Sequence, residues 1–383
     1  MDRIRSKPWL LAVAAVAVVL VGAGAWLLLG GGEPVASPSP TPLPTASPSP
    51  TPSPTPEPTP RPTPTPTPEP VAPCPLNGEP LDDPSVIDRT ALAVQIDNHP
   101  GARPARNLNR ADMVVEATVE GDTTRFAAIF LCQPTEGLTG PIRSARYYNV
   151  DVWQDIGVLT IGFGASYEAL DRFAAFGMPY VNGITGAWPG AWFTRYGTYF
   201  APHNLYGDLE KIREAFGSHA GLDRLAGSVR ELRPPFTFEP EVELPEGRAV
   251  RSVEIRTNSY WRFGWRWDAP LDAWVRQDGG TEISDEVSGE PVRATTVVVQ
   301  IVTQETVFDD PDPAGNPRRL QHLVGSGTGT IYVDGRAHAV RWSRPKAADG
   351  TSWTYEASGE VVVLPPGTIW WEIVPVGSPV TES

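Results

Sequence analysis

Between Asp97 and Asp151 the chain carries six arginines, seven carboxylates and no lysine, set among apolar stretches. A guanidinium presents a rigid fork of donors that fits a carboxylate or a phosphate two bonds at a time, which an ammonium cannot do. Charge at this density is costly to bury unpaired, so the segment must form a paired network, a ligand site, or both. The residues that could do this chemistry are Asp97, Asn98, Arg103, Arg106, Asp112, Glu116, Glu120, Arg125, Arg143, Ser144 and Arg146, joined further along by His203 and Asn204. No catalytic role is assigned to any of them. The chain has no GxSxG elbow and only five histidines, so a Ser-His-Asp hydrolase is poorly supported.

The elements that must position these side chains can be read from hydrophobic alternation. ALAVQID ends a strand on Asp97, and the loop after it supplies Asn98, Arg103 and Arg106. ADMVVEATVE and TTRFAAIFL form a hairpin around Gly121-Asp122. Pairing Glu120 with Thr123 places Glu116, Glu120 and Arg125 together on its polar face. Arg143 and Arg146 stand three apart where a helix is expected to begin, with Ser144 as its cap, so that both guanidinium groups can face one side, close to free backbone N–H groups, as an anion cradle. Asp97, Arg106, Asp112, Arg125, Arg143 and Arg146 have the chemistry to hold a divalent ion beside a phosphate. No fixed-spacing metal motif is present, however, so no metal ligands are assigned, no cofactor is expected, and magnesium is only a suggestion. His203 and Asn204 precede the helical stretch GDLEKIREAF, where a histidine is more often a cap or packing group than a base.

Residues Trp9 to Gly30 contain no charged side chain and match the length of a membrane-crossing helix. Arg3, Arg5 and Lys7 precede this run, which orients the N-terminus to the cytoplasm and the remainder outside. The run is longer than a signal-peptide core and no clean cleavage site follows, so an uncleaved single-pass anchor is expected. Residues 31–74 are then rich in Pro, Ser and Thr. They read as an extended, disordered tether that could reach on the order of 120 Å at about 3.1 Å per residue. Cys74 and Cys132 lie in the exported part, where disulfides persist, and form a candidate bridge; their spacing alone leaves open whether they meet.

The formal net charge of -14 excludes general nucleic-acid binding, which needs a basic face. Residues 75–232 alternate strands and helices and are expected to form a mixed-sheet α/β domain. From 233 to 383 short alternating strands dominate, the pattern of a compact β-sandwich or barrel-like domain.

Several ordered words in the sequence resemble the YerB-like family of bacterial envelope lipoproteins. These are IDN at 96–98, ARP at 102–104, VEG at 119–121, TRF at 124–126, GPIRSAR at 140–146 and APHNLY at 201–206. GSGTGTIYVDGRAHAVRWSR and LPPGTIWWEIV resemble its C-terminal domain. The resemblance implies two folded domains and an envelope location, without a biochemical activity. Two departures stand out: no cysteine directly follows the apolar run, so a protein anchor replaces the lipid, and Thr296 stands where the family has Asn.

The expectation is therefore a membrane-anchored extracytoplasmic binding protein, attached through residues 9–30, whose arginine and carboxylate site takes an anionic envelope ligand or an exported protein. A phosphotransferase acting on polyprenyl-linked wall precursors and a purely structural envelope protein are the alternatives. Convergence of Arg143, Arg146 and a carboxylate on one pocket separates them.

Overall fold

The computed structural model describes residues 72–185 and 188–383. The expected cytoplasmic segment 1–7, the span 8–30 and nearly all of the 31–74 tether lie outside the described residues. Among those described, no helix is long and apolar enough to cross a membrane.

The first segment alternates strands and helices as its sequence pattern implies. It contains β1 (Leu92–Asp97), β2 (Met113–Thr118), β3 (Thr124–Phe130), α1 (Tyr148–Ile156), β4 (Leu159–Gly162), α2 (Tyr167–Ala175) and β5 (Tyr180–Asn182). Ser166 caps α2 by accepting a hydrogen bond from Ala169 N at 3.1 Å. α1 stops at Gly157, whose φ of 82° is costly for any other residue and whose missing Cβ admits the Glu231 carbonyl.

The second segment is almost wholly β, also as expected. Its main strands are β6 (Ser252–Arg256), β7 (Arg262–Asp268), β8 (Ala273–Asp278), β9 (Thr296–Val302), β10 (Gly325–Val333), β11 (Arg336–Arg344), β12 (Ile369–Pro375) and β13 (Val380–Glu382). They do not close into a sandwich or barrel of their own. An 11-stranded sheet runs β11-β10-β9-β12-β2-β3-β1-β4-β5, with two short strands at the β11 edge, so both segments share it. β12 lies parallel to β2 on one side and to β9 on the other. Its sequence explains the position. Ile369, Trp371 and Ile373 point to one face and Trp370 and Val374 to the other, so only a central place covered on both sides buries them all.

One core, with α1, Trp353 and Trp371, covers one face of this sheet. On the other face a six-stranded sheet built on β6, β7, β8 and β13 packs Trp265 and Trp274 against Phe126, Trp370 and Tyr332. Both cores draw on both segments. The sequence boundary near 232 therefore divides the chain without dividing the hydrophobic interior.

The β2–β3 hairpin is paired one residue away from the expected register. Ala117 faces Arg125 and Glu116 faces Phe126 around a turn at Glu120–Asp122. Alternation fails to select the register because neither face of this hairpin meets water; both strands are buried throughout. The expected solvated polar face is thus absent, and Glu116 and Arg125 point to opposite sides of the sheet.

Cys74 and Cys132 form a disulfide that ties the start of the described chain to the residues after β3.

Candidate functional site

β1 and β4 run parallel, and the ends of parallel strands in an α/β sheet leave a crevice where loops diverge. A cavity of about 490 Å³ opens there. Asp97 enters it from the end of β1, Arg125 from the start of β3, and Glu120 from the β2–β3 turn. Arg143, Ser144 and Arg146 come from an extended segment held to both strands: Arg143 N donates to Gln95 O at 2.8 Å and Phe163 N to Arg143 O at 3.0 Å. The expected helix begins only at Tyr148, so Ser144 caps nothing; its hydroxyl donates to Phe163 O at 3.1 Å. Ser166, the cap of α2, also lines the cavity and turns that helix's N-terminus toward it. His203 and Arg318 complete the wall, the latter from the second segment.

The guanidinium groups are only partly satisfied. Arg143 Nε lies 3.2 Å from Asp97 Oδ2, its sole protein partner among the described residues. Arg125, 7% exposed, donates through Nη1 to Ser144 O at 2.9 Å, and its guanidinium makes no other hydrogen bond among the described residues. Arg146 is more fully held, by Ser144 O at 3.0 Å, Ala145 O at 2.8 Å and an ion pair with Glu120 at 2.5 Å. Arg318 pairs with Glu120 and donates to Asp310 O. Three buried guanidinium groups and the half-buried Arg143 thus face two deeply buried carboxylates across an open volume, with N–H groups left over.

Burial pushes the Glu120 carboxyl up, but the Arg146 and Arg125 charges and hydrogen bonds from Arg146 and Arg318 outweigh it, holding the group down at about 2. Burial works the same way on Asp97, where the His203 hydrogen bond and the Arg143 and Arg125 charges bring it below the usual carboxylate range. Burial and the neighbouring Arg125 lower Arg146 to about 10, which leaves it charged at neutral pH.

His203 Nδ1 lies 2.7 Å from the same Asp97 oxygen that pairs with Arg143. Its ring stacks on His99, with centroids 4.4 Å apart. It caps no helix; Asp208 caps the one that follows.

Seven of the thirteen sequence candidates converge on this cavity: Asp97, Glu120, Arg125, Arg143, Ser144, Arg146 and His203. The other six do not. Asn98 donates to Thr124 Oγ1 at 2.7 Å and accepts from Arg103 at 2.8 Å, and Arg103 also pairs with Asp278; both line a smaller cavity of about 220 Å³ that also touches Asp97. Arg106 is taken by Glu286 at 2.7 Å and Leu138 O at 3.0 Å. Asn204 bonds Tyr199 O and Arg195. Glu116 is sealed in the core against Arg276.

Asp112 sits beside the disulfide, accepting from Leu131 N at 2.7 Å and Cys132 N at 2.9 Å. That is the far end of β3 from Arg125, about 20 Å away at some 3.3 Å per residue. Asp97 and Asp112 therefore cannot share an ion, so the six residues suggested to hold a divalent ion beside a phosphate do not form one site. The one group of potential metal ligands among the described residues, Cys74, Asp112 and Cys132, has its two sulfurs bonded to each other.

Sequence reading missed His99, Thr123, Ser166, Asp312 and Arg318. His99 had a signal, lying directly after Asp97-Asn98. Arg318 had none within its own segment, because only the shared sheet brings it across.

The fold and cavity define a protein whose two chain segments complete one sheet, with an arginine-lined hollow at its parallel-strand ends. Residues 76–221 match the model of the DUF3048 N-terminal domain and residues 251–371 that of the DUF3048 C-terminal domain, both described as protein of unknown function. The chain is 27% identical over 292 residues to "Putative lipoprotein YerB" of Bacillus subtilis (strain 168), covering 76% of this chain and 82% of that protein. It is also similar to the crystal structure of YerB protein from Bacillus subtilis, with a TM-score of 0.67, 25% identity, and coverage of 81% of this chain and 99% of that one. The chain belongs to this YerB-like, two-domain DUF3048 family.

Proposed function

We propose that this is a membrane-anchored, extracytoplasmic binding protein of the cell envelope, whose arginine cavity receives the anionic group of a phosphate- or carboxylate-bearing ligand or exported partner. The observation that carries the reading is the set of unsatisfied donors on Arg125 and Arg143, facing a volume large enough for an anion. Buried cations left short of partners are costly unless a ligand completes them. The envelope location is supported by the apolar run at 9–30, the disulfide, and the lipoprotein description of the Bacillus subtilis relative. Titration calorimetry of the full-length protein with inorganic phosphate and with citrate tests it. Saturable binding of either anion, weakened about tenfold or more in Arg143→Ala, is expected. Equal, non-saturating heats in both proteins would rule the reading out.

A further inference from the structure

We infer that the cavity is a phosphoryl-transfer site in which His203 Nε2 attacks the phosphorus of a phosphate monoester and carries the phosphoryl group as a phosphohistidine. This inference rests on the anion-binding reading and goes a step past it.

The placement of the imidazole is what separates it from a packing histidine. Asp97 Oδ2 is shared: His203 Nδ1 lies 2.7 Å from it and Arg143 Nε 3.2 Å, so ring and guanidinium stand side by side on one carboxylate oxygen. In the neutral ring, donation of the Nδ1 proton to the Asp97 carboxylate leaves a lone pair on Nε2. Nε2 has no hydrogen-bond partner among the described residues, and the side chain is 23% exposed in the cavity wall. The stacked His99 ring braces the imidazole and is itself fixed, because its Nδ1 accepts from Gly101 N at 3.0 Å. Two other histidines show the contrast. His219 spends its Nδ1 on Leu222 N and packs on Trp188 and Trp192, and His338 is buried in the sheet. Neither has an orienting carboxylate. A nucleophile or base oriented by a third group, beside donors for the developing charge, is the arrangement nucleophilic catalysis requires.

The step balances without any group foreign to the site. A monoester monoanion enters with its phosphoryl oxygens toward Arg125, Arg143 and Arg146. The Nε2–P bond forms and the P–O bond to the leaving group breaks, the alcohol departing with the proton the ester carried. The phosphorylated ring is then an imidazolium whose Nδ1–H stays on Asp97. Water attacks phosphorus, the N–P bond breaks, and dihydrogen phosphate leaves with His203 neutral again. An alcohol in place of water gives transfer. The guanidinium groups take the charge on the three equatorial oxygens.

Inorganic phosphate alone is a sufficient probe, because formation and hydrolysis of the phosphohistidine exchange its oxygens with water. Full-length protein is incubated with oxygen-18-labelled phosphate, label loss is followed by phosphorus NMR, and phosphate affinity is measured on the same samples. The expected result is exchange by the native protein and a loss on the order of 100-fold or more in His203→Asn, which keeps the donor to Asp97 but removes Nε2. Phosphate affinity should change less than about threefold in that variant, since the arginines carry it. Binding without exchange in the native protein overturns the histidine role and leaves the binding site standing. Exchange that survives in His203→Asn also overturns it. Absence of both binding and exchange removes both readings.

Discussion

Two of the arginine–carboxylate clusters among the described residues are built to opposite ends. In the core between the two sheets, Arg276 donates to Glu116 at 2.8 Å and Glu372 at 2.6 Å and lies over the Phe263 ring at 4.3 Å. Trp370 and Trp265 donate their indole N–H groups to the same two carboxylates at 2.9 Å each. Arg276 is 1% exposed, and burial together with the adjacent Glu116 raises Glu372 well above the ordinary carboxylate range. At the strand ends, by contrast, Arg125, Arg143, Arg146 and Arg318 outnumber Asp97 and Glu120 and keep donors free toward a cavity. Identical residue types therefore make a closed joint in one place and line an open cavity in the other. What separates them is which face of the sheet each side chain leaves by.

Removing the centre of the closed knot should cost most. Arg276→Met strands two buried carboxylates and is expected to lose about 3–5 kcal/mol in urea unfolding; a loss under about 1 kcal/mol would show that the knot is dispensable. Replacing both Cys74 and Cys132 by Ser should cost about 2–4 kcal/mol while leaving anion affinity at the other end of the sheet unchanged. Arg143→Ala reverses the pattern. Phosphate binding should weaken about 10- to 100-fold, with stability altered by no more than about 1 kcal/mol, because this arginine completes a ligand more than it completes the fold.

Acid sharpens the comparison through its sign. Glu120 falls from 4.5 to about 2 on folding, so its contribution is fully present above pH 4.5 and fades as pH drops toward 2; Glu120→Gln should flatten stability over that window. Glu372 moves the other way. Its folded value is raised, so its contribution is fully present below the ordinary carboxylate value and is lost as pH rises through the folded one; Glu372→Gln should remove that alkaline-side decline. Opposite or absent slopes in these unfolding profiles would break the distinction. The smallest effect belongs to neither cluster. Arg341→Ala breaks an exposed pair with Glu356 and should shift stability by less than about 0.5 kcal/mol.

Strand and helix identities were largely legible, because period-2 alternation and the Ser166 cap are local signals. That Arg143 and Arg146 share one site was legible from their spacing, and both line the same cavity, although their backbone proved extended instead of helical. What could not be read was partnership at long range. Glu116 and Glu120, four residues apart, go to Arg276 and to Arg146 with Arg318, and nothing near them in sequence announces that split. Hairpin register could not be read because both faces are buried, and the sharing of one sheet by the two segments could not be read because it places Ile369–Pro375, with tryptophans on both faces, beside a strand of the first segment.

That middle position has a temporal cost. β2 is made early and β12 some 250 residues later, yet the two are direct neighbours, and β9 waits on the other side of the same slot. A growing chain therefore holds a gap in its largest sheet, with unpaired edges and bare tryptophan-sized vacancies, until β12 has been made. Such late closure slows folding and exposes sticky edges meanwhile, so this chain should depend on a holding chaperone more than a protein of equal size built from consecutive hairpins.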